Sequence, residues 1–493
     1  MSNLSELIPA GGGQNNTDFV ADGAITSGKP VILNSAGTVS PISASGNPAS
    51  LGSPVDVAGY ALDGYGVDVT YDSANDKIVA VYVKDSDKDG YAVVGSYSGT
   101  AITWGTPVKF YTGTTQDAPR IQYDTSSGKV LITYDASSSY LYGIVGTVSG
   151  TSISFGTPTT IISAWGRYVQ TTYDSANGNV IIAYKNEGAS AGEAKIATIS
   201  GTGVSFSSAA TYSSGGNVAT HGCAYDSNAQ ALAVLYNSNS NNTKANIGTS
   251  DGSSITFGSE TEVEYDKLVA GDCSYDSVNQ KVVFVYRDLN ATTLRARVGT
   301  LTGGSTRSVS LGTEVTVESN AVTTQTVSCA FNGGTTTIVY TLASDNYQRY
   351  INGTVSGTNI SFNTAARLYS DNATSYKGAI CTMSGSNVCI AIQPSATAGS
   401  LVDDYGYGII YSAVGSNLTA TNLLGIASAA ILDTATGTIN TWGSRNEVQT
   451  SLTIGSDYYV QEDGTITTAS ASPAQLIGQA ITATQINIKD YTG

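Results

Sequence analysis

The sequence predicts an all-β protein, a seven-bladed β-propeller of four-stranded blades, its ring closed by an N-terminal strand, inserted in a small duplicated β-domain. Three observations predict it. A Tyr-Asp-Ser/Thr turn recurs along the chain, no stretch of helical period lasts three turns, and the strand that the last repeat lacks occurs near the N-terminus.

The turn stands at Tyr71-Asp72, Tyr123-Asp124, Tyr173-Asp174, Tyr225-Asp226 and Tyr275-Asp276, with degenerate copies at Phe331-Asn332 and Met383-Ser384. These seven anchors are 52, 50, 52, 50, 56 and 52 residues apart, the length of a four-stranded blade with generous loops. In the second repeat the strands read PRIQYD, KVLITYD, LYGIVGTVS and SISFGTPTTI, apolar at alternate positions or nearly so. The anchor Asp is expected to accept backbone N–H groups two residues on, as a turn device and not a catalytic acid.

The seventh repeat supplies GAICTMS, NVCIAIQ and YGIIYSAV but no fourth strand. Residues Ser45 to Pro54 align without a gap on Ser149 to Pro158, so residues near 45–58 are expected to be the outer strand of the last blade. Closing a ring with strands from both ends of the chain pairs those ends through backbone hydrogen bonds.

Outside the ring, Val31–Val39 resembles Tyr459–Ile466, and Leu424-Gly425-Ile426-Ala427 resembles Ile477-Gly478-Gln479-Ala480. The propeller occupies the gap that TTASASPAQ fills in the later copy, as an insertion into a loop of a duplicated β-domain. The expected organisation is a flexible arm over residues 1–16, the small domain over 17–44 and 416–493, and the propeller over 45–415.

Composition agrees with short strands and tight turns. The 493 residues include 55 Gly and 31 Tyr but only 2 Met. Lys+Arg 22 against Asp+Glu 38 gives a net charge of −16, which repels nucleic acid. No run of apolar residues is long enough to insert in a membrane. The start MSNLSELIPAGGGQNN lacks a basic region and an apolar core, so the expectation is synthesis in a cytoplasm without a signal peptide. Cys223, Cys273, Cys329 and Cys381 each lie two residues before an anchor and read as small core residues; Cys381 could also face Cys389 across the last blade's first hairpin.

The segments SELIPAGGGQNNTDFVADGAITSGKPVILNSAGTV, LLGIASAAILDTATGTI, LTIGSDYYVQEDGTI and LIGQAITATQINI resemble virion proteins of tailed bacteriophages, particularly marine ones. The resemblance covers about a quarter of the chain and implies a structural protein of the particle, with the small β-domain decorating a head or anchoring a fibre. It implies other virion proteins as partners through the N-terminal arm and small domain. Self-association is expected too, because weak sites gain from multiplicity.

Asp85-Ser86-Asp87-Lys88-Asp89-Gly90 is written like the start of a calcium loop, the carboxylates of Asp85, Asp87 and Asp89 being candidate ligands. The run leads straight into the strand YAVVGSY without the later bidentate acid, so a solvated hairpin tip is the competing reading and no other cofactor is expected. Asp56, Asp63 and Asp68, and Asp403 with Asp404, could pair as glycosidase carboxylates. The expectation is nevertheless that the chain is not an enzyme. The connections between second and third strands, and those entering each repeat, are long and carry Tyr140, Tyr142, Trp165, Arg167, Tyr168, His221, Tyr347, Tyr405 and Tyr407. Aromatic faces suit sugar rings, so these residues are the candidate ligand-binding set, for attachment to a host surface glycan. A glycan depolymerase and a purely architectural capsid decoration are the alternatives.

Overall fold

The computed structural model describes residues 15–489 except 35, 43–49, 116–117, 138, 216–217, 239–241, 291, 370–374, 386, 395–400, 413–417, 419–421, 462–463 and 469–474. Every regular element among the described residues is a β-strand. The chain forms two compact units, one of residues 1–50 and 414–493 and one of residues 51–413.

In the larger unit the second to sixth repeats each form a five-stranded antiparallel sheet. Strands are laid down in chain order, and the short final strand returns to pair with the third, as Thr159–Ile162 does with Tyr140–Ser149. The remaining sheet has nine strands because one long strand, Val55–Asp72, serves two ends of the unit. Its start pairs with Tyr405–Ser412 (Gly408↔Val55, Tyr405↔Ala61) and its end with Lys77–Lys84 (Tyr71↔Ile78). Ser50–Leu51 also pairs with Tyr405–Ser412. Residues 45–49 of the expected closing strand lie outside the described residues.

Two local devices explain the regularity. The anchor Asp is buried and its Oδ1 accepts the N–H groups two and three residues on: Ala74 and Asn75 at Asp72, Ala176 and Asn177 at Asp174, Val278 and Asn279 at Asp276. Each tight turn thereby has its backbone donors satisfied. In the second strand, Tyr82, Tyr184, Tyr236, Tyr286 and Tyr340 are fully buried at one repeated position. Four of their hydroxyls donate to Glu193, Glu260, Glu314 and Glu318 at 3.1, 2.7, 2.6 and 3.0 Å, so a large apolar surface is buried without stranding the phenol. Apolar clusters join neighbouring repeats, for example Val79 and Val81 with Val130 and Ile132, and Val67 and Val69 with Ala379 and Cys389.

The smaller unit holds two five-stranded sheets with the same turn in each. Asn34 N–H donates to Thr38 O and Gly37 N–H to Asn34 O; Gln461 and Gly464 repeat both bonds. Gly37 and Gly464 have φ of 80° and 74°, where a side chain is strained. A Cβ on Gly425 would lie 2.1 Å from Asn440 O, and one on Gly478 2.1 Å from Asn487 O. Asn16–Val20 is a strand paired with Thr436–Asn440, so the arm expected over residues 1–16 ends before Asn16; residues 1–14 lie outside the described residues.

Candidate functional site: an aromatic patch and a polar lumen

The second-to-third connection of a repeat bonds to the connection that enters it. Asp85 N–H donates to Ala61 O, Ser137 to Thr114, Glu187 to Trp165, Leu289 to Lys267 and Ala343 to Ala321, at 2.8–3.1 Å. The two sets of long connections therefore lie together.

Five of the expected residues fall into two aromatic groups, Tyr140 with Tyr142 on the second repeat and Trp165 with Arg167 and Tyr168 on the third. A Cβ on Gly166 would lie 2.7 Å from Leu141, which faces the third repeat; Tyr140 and Tyr142 alternate to the other face of their strand, where Tyr142 packs with residues of the first and second repeats. The Arg167 guanidinium sits 4.4 Å from the Trp165 ring centroid and 4.9 Å from that of Tyr168, and pairs with Glu187 at 3.5 Å. Tyr140 and Tyr142 have centroids 5.9 Å apart, and Tyr142 stacks on buried Tyr134. Tyr140 and Tyr168 are 42% and 37% exposed, so their faces are open to a ligand. The Trp165 indole N–H has no hydrogen-bond acceptor among the described residues.

The other expected residues belong to neither group. Tyr347 lies in the sixth repeat, 3.6 Å from the Arg367 guanidinium. Tyr405 packs, half-buried, against a core cluster. Tyr407 is a correction: it is 5% exposed and its hydroxyl accepts the Val402 N–H, so the ring is core and cannot offer a face. His221 stands where the pairing of Ala219–Asp226 slips, and it lines the lumen described below.

The calcium loop is also corrected. Asp85 pairs with Lys88 at 2.6 Å, Asp87 accepts from the Tyr91 hydroxyl at 3.0 Å, and buried Asp89 is held by Lys109 and the Gly113 N–H. The hairpin sends its carboxylates to separate partners, and among the described residues no three acidic, His or Cys side chains converge on a metal position. Of the other acids, Asp56 caps Ala58 and Gly59 N–H groups and Asp63 pairs with Lys88 at 3.0 Å.

The lumen is a cavity of ≈ 850 Å³ lined by strands of all seven repeats. Three residues stand at one position, three before the anchor: Asp68, Arg120 and Asp272. Asp68 Oδ2 accepts the Ile121 N–H of the next repeat at 2.9 Å, and Asp272 Oδ2 that of Cys329 at 2.9 Å. Each carboxylate thus satisfies an edge donor of the neighbouring strand. Burial pushes the Asp272 carboxyl up to about 7, against the pull of the Cys329 and Cys273 N–H groups and Arg120; burial also raises Asp68. What surface these acids expose faces the lumen, which is why they are partly accessible yet poorly solvated. The repeat register was the signal that would have found this set. Tyr265, 80% exposed in the connection entering the fifth repeat, was also missed.

No family model matches the chain, and no curated protein does. Among solved structures, the BP39L lectin from Burkholderia pseudomallei is similar at a TM-score of 0.55 and 11% identity, over 72% of this chain and 98% of the lectin. An ulvan lyase of polysaccharide lyase family PL25 follows at 0.45 and 10%, over 74% and 97%. The NanB sialidase from Streptococcus pneumoniae follows at 0.41 and 10%, over 74% and 70%. At these identities the likeness shows the fold, an all-β, β-propeller-like architecture. It also corrects the expectation that the chain is not an enzyme: lectins and glycan-cleaving enzymes stand side by side among the similar structures, so the fold gives no ground for excluding catalysis.

Proposed function

We propose that residues 51–413 form a seven-bladed β-propeller, closed between its first and last repeats, that attaches a tailed-bacteriophage virion to a glycan on its host. Closure is supported by the Gly52 N–H bond to Ile410 O, by the pairing of Val55–Ala61 with the last repeat, and by the apolar cluster joining Val67 and Val69 to Ala379 and Cys389. The placement in a virion rests on the phage-like segments of the smaller unit, which anchors the propeller as an insertion and joins it to other particle proteins.

The observation that carries glycan binding is the patch of Trp165, Arg167 and Tyr168, with Tyr140 and Tyr142 as a second aromatic pair on the second repeat. Rings held in place by packing and a cation offer apolar faces to the C–H side of a sugar, and the Arg167–Glu187 pair offers donors and acceptors to its hydroxyls. A glycan array probed with the purified chain tests this, with mass spectrometry of the eluted glycans separating binding from cleavage. Retention of host-surface glycans is expected. Failure to retain any, together with adsorption unaffected by loss of the protein from particles, would leave only the architectural role.

A further inference from the structure

The lumen carries an unspent binding group. Arg120 donates its Nε–H to Val169 O of the next repeat at 3.0 Å, which fixes the plane of the guanidinium. Among the described residues its two terminal nitrogens have no hydrogen-bond or ion-pair partner. Arginine's fork is matched by two coplanar oxygens, as in a carboxylate.

Asp68 and Asp272 do not fill that role. Neither forms an ion pair with Arg120, and both direct oxygens to backbone N–H groups, Asp272 through Oδ1 to Cys273 at 2.8 Å as well as through Oδ2 to Cys329. Arg120 acts on both carboxyls through space, yet their oxygens are taken by backbone donors, which leaves the terminal donors of its fork to an incoming group. Gln170 and Thr172 line the same cavity with side chains that make no hydrogen bond among the described residues, ready for hydroxyl groups. The volume of ≈ 850 Å³ falls within the roughly 300–1,000 Å³ of small-molecule clefts.

We propose that the lumen binds an acidic sugar, its carboxylate on the open side of the Arg120 guanidinium and its hydroxyls on Gln170 and Thr172. The proposal does not rest on the aromatic patch, with which the lumen shares Tyr168. The charged and titratable groups lining the lumen are Asp68, Arg120, His221, Asp272, the thiols of Cys223, Cys273, Cys329 and Cys381, and the phenols of Tyr71, Tyr123, Tyr168, Tyr173, Tyr225 and Tyr275. Because burial holds Asp272 near 7, the bound anion keeps that carboxyl protonated, so binding takes up protons at neutral pH and weakens as pH rises through about 7.

Isothermal titration of the full chain with glucuronic acid and N-acetylneuraminic acid, against glucose, galactose and sodium sulfate, tests the proposal. At least one acidic sugar should bind ten-fold or more tighter than the neutral sugars and than sulfate, with proton uptake seen in buffers of different ionisation enthalpy. Arg120→Gln should lose this preference, and Arg120→Lys, which keeps the charge without the fork, should retain a weakened form. A melting curve shows whether each variant is folded. Neutral sugars binding the wild type as well as both acidic ones, or sulfate binding as well as both, would overturn the proposal whatever the variants do. So would a folded Arg120→Gln with wild-type affinity. Loss of acidic-sugar binding in Trp165→Ala with retention in Arg120→Gln would move the ligand to the patch and reject the lumen.

Discussion

Gly52 donates its backbone N–H to the carbonyl of Ile410 at 2.8 Å, linking the two end regions of the larger unit's chain. The same bond runs within single repeats from Gly105 to Val94, Gly156 to Val145, Gly258 to Ile247 and Gly312 to Val298. At each of these glycines a Cβ would strike a carbonyl of the next repeat, Thr100 for Gly52 at 2.3 Å and Thr151 for Gly105 at 2.3 Å. The gapless match of residues 45–54 to 149–158 places Gly52 on Gly156, so the two ends of the unit meet by the contact that joins its interior repeats.

Gly52→Val should therefore destabilise the larger unit by roughly 1–3 kcal/mol, because a backbone carbonyl must move to admit the side chain. Gly334→Ala, with nothing within 4 Å of its Cβ, should change stability by no more than about 0.5 kcal/mol. Urea denaturation of both variants reads the difference. Equal midpoints would mean that the contact contributes nothing.

Removal of residues 1–58 should expose the strand Tyr405–Ser412 as an unpaired edge, since Ser50–Leu51 and the start of Val55–Asp72 pair with it. Limited proteolysis with mapped cuts should then find the first cleavages in residues 375–412. A truncated chain as resistant as the full one argues against closure.

Tyr140→Ala and Trp165→Ala should each weaken adsorption of particles to host cells about ten-fold, worth roughly 1.4 kcal/mol for an aromatic anchor, with particle assembly unchanged. Tyr407→Ala should behave differently. Its ring is core, so the variant should lose roughly 3–5 kcal/mol of stability, as large aromatic truncations do. Adsorption insensitive to both Tyr140→Ala and Trp165→Ala would reject the two aromatic groups as the receptor contact.

Asp272 gives a pH dependence with a definite sign. Its folded-state pKa of about 7 lies above the ordinary carboxylate value of 3.8, so between these values the folded state binds more protons than the unfolded state. Stability contributed by the protonated form is present below about 4 and declines as pH rises towards and through 7. Asp68, raised in the same direction, adds to the decline. Relative to the wild type, Asp272→Asn should gain melting temperature on going from pH 5 to pH 8. An unchanged difference across that range would show that Asp272 does not titrate there.

The sequence by itself determined what depends on neighbours along the chain. The anchor turns, the alternating strands and the roughly fifty-residue period were readable because an Asp capping donors two and three residues on, and a side chain alternating between sheet faces, are short-range effects. The match of Gly52 to Gly156 was readable for the same reason, since both obey one local contact rule. Tyr140, Tyr142, Trp165, Arg167 and Tyr168 could be named from their long connections, and the bond from Glu187 to Trp165 then brought two such connections together. Only the tertiary structure decided which exposed-looking residues were spent elsewhere. Tyr407 is buried because Val402 folds back onto its hydroxyl, and Asp85, Asp87 and Asp89 diverge because Lys88, Tyr91 and Lys109 reach them first. The lumen set of Asp68, Arg120 and Asp272 is the plainest case. These residues are far apart in sequence, and each repeat alone would leave its charge in water; only the convergence of seven inner strands strips that water away and raises the Asp272 pKa.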